Sequence, residues 1–137
     1  MTEVHYLDVA DVLVIAEFVL DIDAHVLAKA SRVELIESAL GAPQAAFGGI
    51  EFVEDIRDKV AVLGYRIMKN HGLIDGNKRV ALQSMIEFAE RNGLSWRYPK
   101  SQSDEDEVVS VMFAAAGGEI SEAAFIAWVR TRVVNED

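Results

Sequence analysis

The chain has 137 residues, enough for a single domain over residues 1–137 and too few for two. Apolar residues make up 51% and charged residues 26%, a balance that excludes a disordered chain. The absence of cysteine excludes disulfides and thiolate metal sites, and a net charge of −10 argues against a general nucleic-acid binder. In chain order, Asp8 is placed to cap a first helix, with Asp11 three residues on as its capping-box partner. Leu7, Val12, Ile15, Phe18 and Val19 give that helix an apolar face. Residues 21–31 carry no decisive pattern. A short helix is expected over residues 32–40, stopped by Gly41 with Pro43 beyond. Residues 44–51 include Phe47-Gly48-Gly49 and read as a flexible loop.

The next helix is expected over residues 54–70, with Ile56, Val60, Leu63, Tyr65, Ile67 and Met68 for packing. Residues 71–76 interrupt it, a further helix runs over residues 77–92, and Gly93 stops that one. Residues 94–98 suit an extended segment ending at Pro99. Ser103 is read as the cap of a helix whose first turn, Asp104-Glu105-Asp106-Glu107, complements the helix dipole. Gly117-Gly118 ends it, and Ser121 caps a last helix reaching about residue 134. Six or so helices with short connections predict an all-α bundle. No stretch reaches the roughly eighteen apolar residues of a membrane span, and the N-terminus lacks the basic region of a secretory signal, so a cytoplasmic protein without a membrane partner is expected. Trp96, Trp128, Met68, Met85 and Met112 read as packing residues, and His5 and His25 as ordinary surface residues.

The charge is unevenly placed. Residues 57–100 hold nine of the thirteen basic residues and only Asp58, Asp75, Glu87 and Glu90 as acids, which makes +5 there and −15 elsewhere. A local positive site on an acidic chain suits a small anionic ligand. Arg57, Lys59 and Arg97 are read as members of solvated helix faces. Within this stretch, His71-Gly72-Leu73-Ile74-Asp75-Gly76-Asn77-Lys78-Arg79 stands out. The helix starting at Asn77 offers unpaired N–H groups and a positive dipole end, which attract phosphate. Gly76 permits close approach of backbone to an anion. Asp75 is a hard oxygen ligand suited to Mg²⁺. Lys78 and Arg79 add positive charge, and His71 takes a proton near neutral pH. Lys69, just ahead of the segment, is within reach of a phosphate or else serves the dipole of its own helix. The plainer alternative is a common Asp-Gly-Asn turn followed by a capped helix.

The segment resembles the motif of the Fic/Doc family, His-x-Phe-x-Asp/Glu-Gly/Ala-Asn-Gly/Lys-Arg, at His71, Asp75, Gly76, Asn77, Lys78 and Arg79. The resemblance extends over about residues 5–134. It includes residues 35–40 with Pro43-Gln44 and Phe47-Gly48-Gly49 upstream, and Ala81-Leu82, Phe88, Asn92-Gly93 and residues 118–121 downstream. Leu73 departs from it, standing where the family has phenylalanine, and no clear glycine pair occurs in residues 21–30.

Lys78 resembles the Doc (death-on-curing) branch, since adenylyl-transferring Fic enzymes usually have glycine there. That likeness implies an ATP- and Mg²⁺-dependent transfer of the γ-phosphate to a protein hydroxyl, a threonine of elongation factor Tu in the family, with arrest of translation. It implies His71, Asp75, Asn77 and Arg79 as catalytic residues and Asp75 as the metal ligand. Gly76, Asn77, Lys78, Arg79 and Lys69 would hold the nucleotide. It also implies a partner antitoxin whose helical tail fills a groove near the site. Two alternatives stand beside this reading: transfer of AMP to a protein hydroxyl, and a degenerate fold kept as a binding protein. The self-inhibitory Ser/Thr-x-x-x-Glu-Gly/Asn pattern of some relatives is approached only by Ser101 with Glu105 and Ser103 with Glu107, and neither fits.

Overall fold

The capping box at Asp8 forms, and it starts the first helix in the computed structural model, which describes residues 3–135. In α1 (Val9–Leu20) the Asp8 carboxylate accepts the Asp11 N–H and the Asp11 carboxylate accepts the Asp8 N–H, both at 2.9 Å. Val12 and Ala16 are buried, but Phe18 is 89% exposed. Two residues beyond Ala16 is roughly 200° around a helix, so Phe18 leaves the apolar face expected to hold it. Residues 21–31 resolve into α2 (Ala24–Ala30), capped by Asp23. Next comes α3 (Val33–Gly41), then a 3₁₀ turn (Ala42–Gln44). The segment expected as a loop is a hairpin of β1 (Ala46–Phe47) and β2 (Ile50–Glu51), pairing Ala46 with Glu51 and Phe47 with Ile50. Gly48 and Gly49, at φ +61° and +80°, supply the two positive angles that a tight hairpin turn requires.

Helix α4 (Ile56–Asn70) is the centre of the bundle and packs against α3 and the helices that follow. It packs tightly on α5 (Asn77–Arg91) at Gly64, where a Cβ would stand 2.6 Å from Met85 Cγ. Beyond α5 come β3 (Leu94–Trp96), α6 (Gln102–Ala116), α7 (Glu122–Arg130) and β4 (Val133–Asn135). Strand β4 runs antiparallel to β3, with Trp96 opposite Val133. The core joins Val60, Leu63, Ile67 and Met68 of α4 to Val80, Met85 and Phe88 of α5 and Phe125 and Val129 of α7. Each such side chain stabilises the fold by about 1.5–3 kcal/mol through burial.

Three further expectations need correction. Helix α6 is capped by Ser101, not Ser103: Ser101 is extended (φ −151°, ψ 165°) and its hydroxyl accepts the Asp104 N–H at 3.1 Å, while Ser103 is already helical. The last helix stops at Arg130 rather than near residue 134, because Arg132 turns in toward α6 and Val133 pairs with Trp96. Lys59 is not on a solvated face. It is 1% exposed, and its ammonium donates to Tyr6 Oη (2.9 Å), the Pro43 carbonyl (2.8 Å) and Glu51 Oε1 (2.9 Å). Seven α-helices and two small strand pairs lie among the described residues, so the class is all-α, one helix richer than expected. No helix there is long and apolar enough to cross a membrane.

Candidate active site

The segment between α4 and α5 is a closed loop built by local chemistry. Helix α4 ends because His71 adopts the left-handed conformation (φ 49°, ψ 47°), which histidine tolerates better than most residues. Its side chain is exposed. Gly72 follows at a close approach to α3. Its carbonyl accepts the Arg32 N–H at 2.7 Å, and a Cβ on it would lie 2.8 Å from Ile36 Cγ1. Leu73 is buried and anchors the loop in the core. Asn77 fastens the loop from the other side: its Oδ1 accepts the Leu73 N–H (3.2 Å) and its Nδ2 donates to the Leu73 carbonyl (3.1 Å). The Asn77 side chain is therefore a clamp for the loop, and what it offers an anion is its backbone N–H.

The far end of the loop is open. Ile74 and Asp75 are exposed. Asp75 Oδ1 accepts the Gly76 N–H at 2.7 Å, which leaves its second oxygen for a ligand. Gly76 is left-handed (φ 69°), and a Cβ there would collide with the Leu20 side chain. The first bond of α5 runs from the Val80 N–H to the Gly76 carbonyl at 2.9 Å, and no side chain caps this helix. The N–H groups of its first turn are thus free to face an anion.

The cations of the segment stand on different sides. Arg79 folds back, its Nη2 3.3 Å from where a Cβ on Gly76 would stand. Lys78 turns toward α6, its Nζ 4.7 Å from the centre of the Phe113 ring. Lys69 points to the α6–α7 turn, its Nζ 5.9 Å from the Tyr65 ring centre and 3.4 Å from a Cβ placed on Gly118. Among the described residues none of the three is within 4.0 Å of a carboxylate, in contrast to neighbouring Arg66. Arg66 donates to both oxygens of Glu122 and ties α4 to α7, and those hydrogen bonds hold its pKa above the ordinary value. No group of three or more potential metal-ligating His, Asp or Glu side chains occurs among the described residues.

Lys78 and Arg79 also begin a groove along the outer face of α5. Its first part is a cavity of about 280 Å³ lined by Leu82 of α5 and Val108, Val109, Met112 and Phe113 of α6. Further depressions follow past Phe18 and Val19 of α1 to Ile86 and Tyr98. Sequence reasoning did not assign Phe113 or Phe18 to the site. The available signal was the doublets Val108-Val109 and Met112-Phe113, which give α6 a second apolar face beyond the one it buries.

A family model described as "Fic/DOC family" matches residues 6–89. A protein of Mycolicibacterium smegmatis (strain ATCC 700084 / mc(2)155) named "Toxin Doc" is 37% identical over 60 residues. The matched part covers 44% of this chain and 46% of that relative, a little under half its length.

Proposed function

The chain belongs to the Fic/DOC family, and from that premise we propose that it is a toxin of the Doc kind, transferring the γ-phosphate of ATP to a protein hydroxyl and restrained by a separate antitoxin. The observation that carries the reading is the loop itself. An exposed imidazole, a free carboxylate oxygen, an uncapped helix N-terminus and two cations without carboxylate partners occur within nine residues. Phosphoryl transfer needs little covalent chemistry from a protein and depends on positioning and charge. These groups supply both.

In the proposed step the His71 imidazole takes the proton from the incoming hydroxyl. The oxygen forms a bond to the γ-phosphorus, the bond to the β-phosphate oxygen breaks, and ADP leaves. The N–H groups of the first turn of α5 hold the γ-phosphate oxygens, and Arg79, beside Gly76, neutralises charge on them. The lone exposed carboxylate of Asp75 fits Mg²⁺, which prefers one or two carboxylates, water and phosphates to an all-protein cage. Bound there, the ion would neutralise phosphate charge. The groove beside Lys78 and Arg79 suits an amphipathic antitoxin helix laid along α5. The hydroxyl is proposed to be a threonine of elongation factor Tu, as the resemblance implies, in the cytoplasm.

One observation favours a second reading. The Lys78 ammonium is drawn off to α6, so it does not cover the helix start, and an α-phosphate has room there as well. Adenylyl transfer therefore remains the competing reaction. The test is a bacterial translation extract given the protein and ATP, labelled in one run on the γ-phosphate and in another on the α-phosphate. The kinase reading expects γ-label on a protein target and loss of translation. Transfer of the α-label would overturn it in favour of adenylylation, and transfer of neither would overturn both.

A further inference from the structure

We infer that Phe113 of α6 is a positioning residue for Lys78, fixing the ammonium on the α6 side of the loop where the β- and α-phosphates of ATP leave the transfer site; this rests on the proposed seating of ATP at the loop. Lys78 occupies an unfavourable place by local rules. It lies in the first turn of α5, where the helix presents its positive end, and a cation there is repelled. No carboxylate among the described residues lies within ion-pair distance of it. What it meets is the face of the Phe113 ring, 4.7 Å from Nζ to the ring centre, well inside the range of a cation–π contact. The ring's negative face offsets the helix end, and the contact restrains a side chain that otherwise keeps most of its rotamer freedom.

Phe113 lines the groove beside Lys78 with Leu82 and Val109, and its ring also carries the contact with the ammonium. It is 61% exposed, and one turn back Val109 is also exposed, while Val108 and Met112 do the burying for α6. The cation Phe113 meets among the described residues is the Lys78 ammonium. The two cations of the motif are thereby separated. Arg79 lies over Gly76, at the loop, and Lys78 stands over α6. A polyphosphate seated on the first turn of α5 meets one cation at each end. Its terminal group lies by Arg79 and the loop, and the following phosphates run toward Lys78. A lysine left to swing has no such directional effect, because its charge would be spread over both sides of the helix start.

The test compares the wild type with Phe113→Leu, Phe113→Trp, Lys78→Met and the Lys78→Met/Phe113→Leu pair. Phe113 is exposed, so the leucine variant keeps the fold, which circular dichroism checks. Two measurements are made. In the NMR spectrum of ¹³C-lysine-labelled protein, the Lys78 ε-CH₂ protons should be shifted upfield by the ring, return to the ordinary lysine position in Phe113→Leu, and stay shifted in Phe113→Trp. In calorimetry with ATP and Mg²⁺, Phe113→Leu should weaken binding about two- to fivefold, the worth of an exposed cation–π contact, and Phe113→Trp should restore it. The loss should vanish when Lys78 is already methionine. An unshifted Lys78 in the wild type, or an equal loss in the Lys78→Met background, would overturn the inference. Absence of ATP binding to the wild type would instead overturn the proposed function on which it rests.

Discussion

His71 terminates α4 in a left-handed conformation and leaves its ring in solvent, where an incoming hydroxyl can reach it. A histidine kept only to end a helix would be replaceable by glycine, the residue most at home there. His71→Ala should lower phosphotransfer by about 10²–10⁴, the usual worth of a general base, while calorimetric ATP binding stays near normal. Turnover retained in that variant would reduce His71 to a helix terminator. Asp75 makes a separate claim. Its one bond is to the neighbouring Gly76 N–H, which an asparagine oxygen can also accept. Asp75→Asn should therefore leave the loop intact and raise the Mg²⁺ concentration needed to bind ATP. An unchanged Mg²⁺ dependence would assign Asp75 to the turn alone. Leu73 anchors the loop through an apolar side chain and through its backbone. It fills the family's phenylalanine position with less area, yet it is buried and doubly bonded to Asn77.

Among the elements, the start of α6 shows which local signal wins when two are available. Ser101 and Ser103 both precede acidic residues that suit a helix start. Ser101 takes the cap: its Oγ accepts the Asp104 N–H, and Asp104 Oδ2 accepts the Lys100 N–H at 3.2 Å just ahead of it. Ser101→Ala should cost about 1 kcal/mol in urea unfolding, and Ser103→Ala less than about 0.5 kcal/mol. Equal losses would mean that the cap frays between the two. The Asp104 carboxylate also pairs with buried Arg132, and hydrogen bonds from that guanidinium hold its pKa below the ordinary value. Its contribution is thus present above the unfolded pKa of 3.8 and disappears as pH falls through the lower folded value.

At the scale of the whole molecule, Lys59 joins three distant pieces: the N-terminal segment at Tyr6, the 3₁₀ turn at Pro43 and the hairpin at Glu51. Burial pulls the ammonium pKa down, but hydrogen bonds to Tyr6 and Glu51 outweigh that, and it stands above the ordinary value. A raised pKa means stability fully present below the unfolded value of 10.5 and lost as pH rises through the folded one. Lys59→Met leaves the Pro43 carbonyl and the Tyr6 hydroxyl without their donor. It should lower unfolding free energy by about 2–3 kcal/mol at pH 7, and the gap to the wild type should narrow above pH 10.5. Urea unfolding at pH 7 and pH 11 measures both, and a gap that stays constant would show that the charge is not what stabilises the junction.

What the chain's own order determined was local. The Asp8–Asp11 capping box, the stop at Gly93 and the break between α4 and α5 depend on residues a few positions apart, so their chemistry is written contiguously. The buried methionines and Trp96 followed from apolar patterning in the same way. Tertiary structure decided the rest. Lys59 is buried because Tyr6, 53 residues earlier, and Pro43 and Glu51 converge on it. The chain beyond Arg130 is a strand because β3 offers it an edge, and the helical pattern that seemed to run to residue 134 had no means of revealing this. Lys78 and Phe113 meet across 35 positions. A side chain's local sequence states what it is able to bond, but only the packing of α5 against α6 brings the partner within range, because Coulombic and π contacts act over a few ångströms of space and not along the chain.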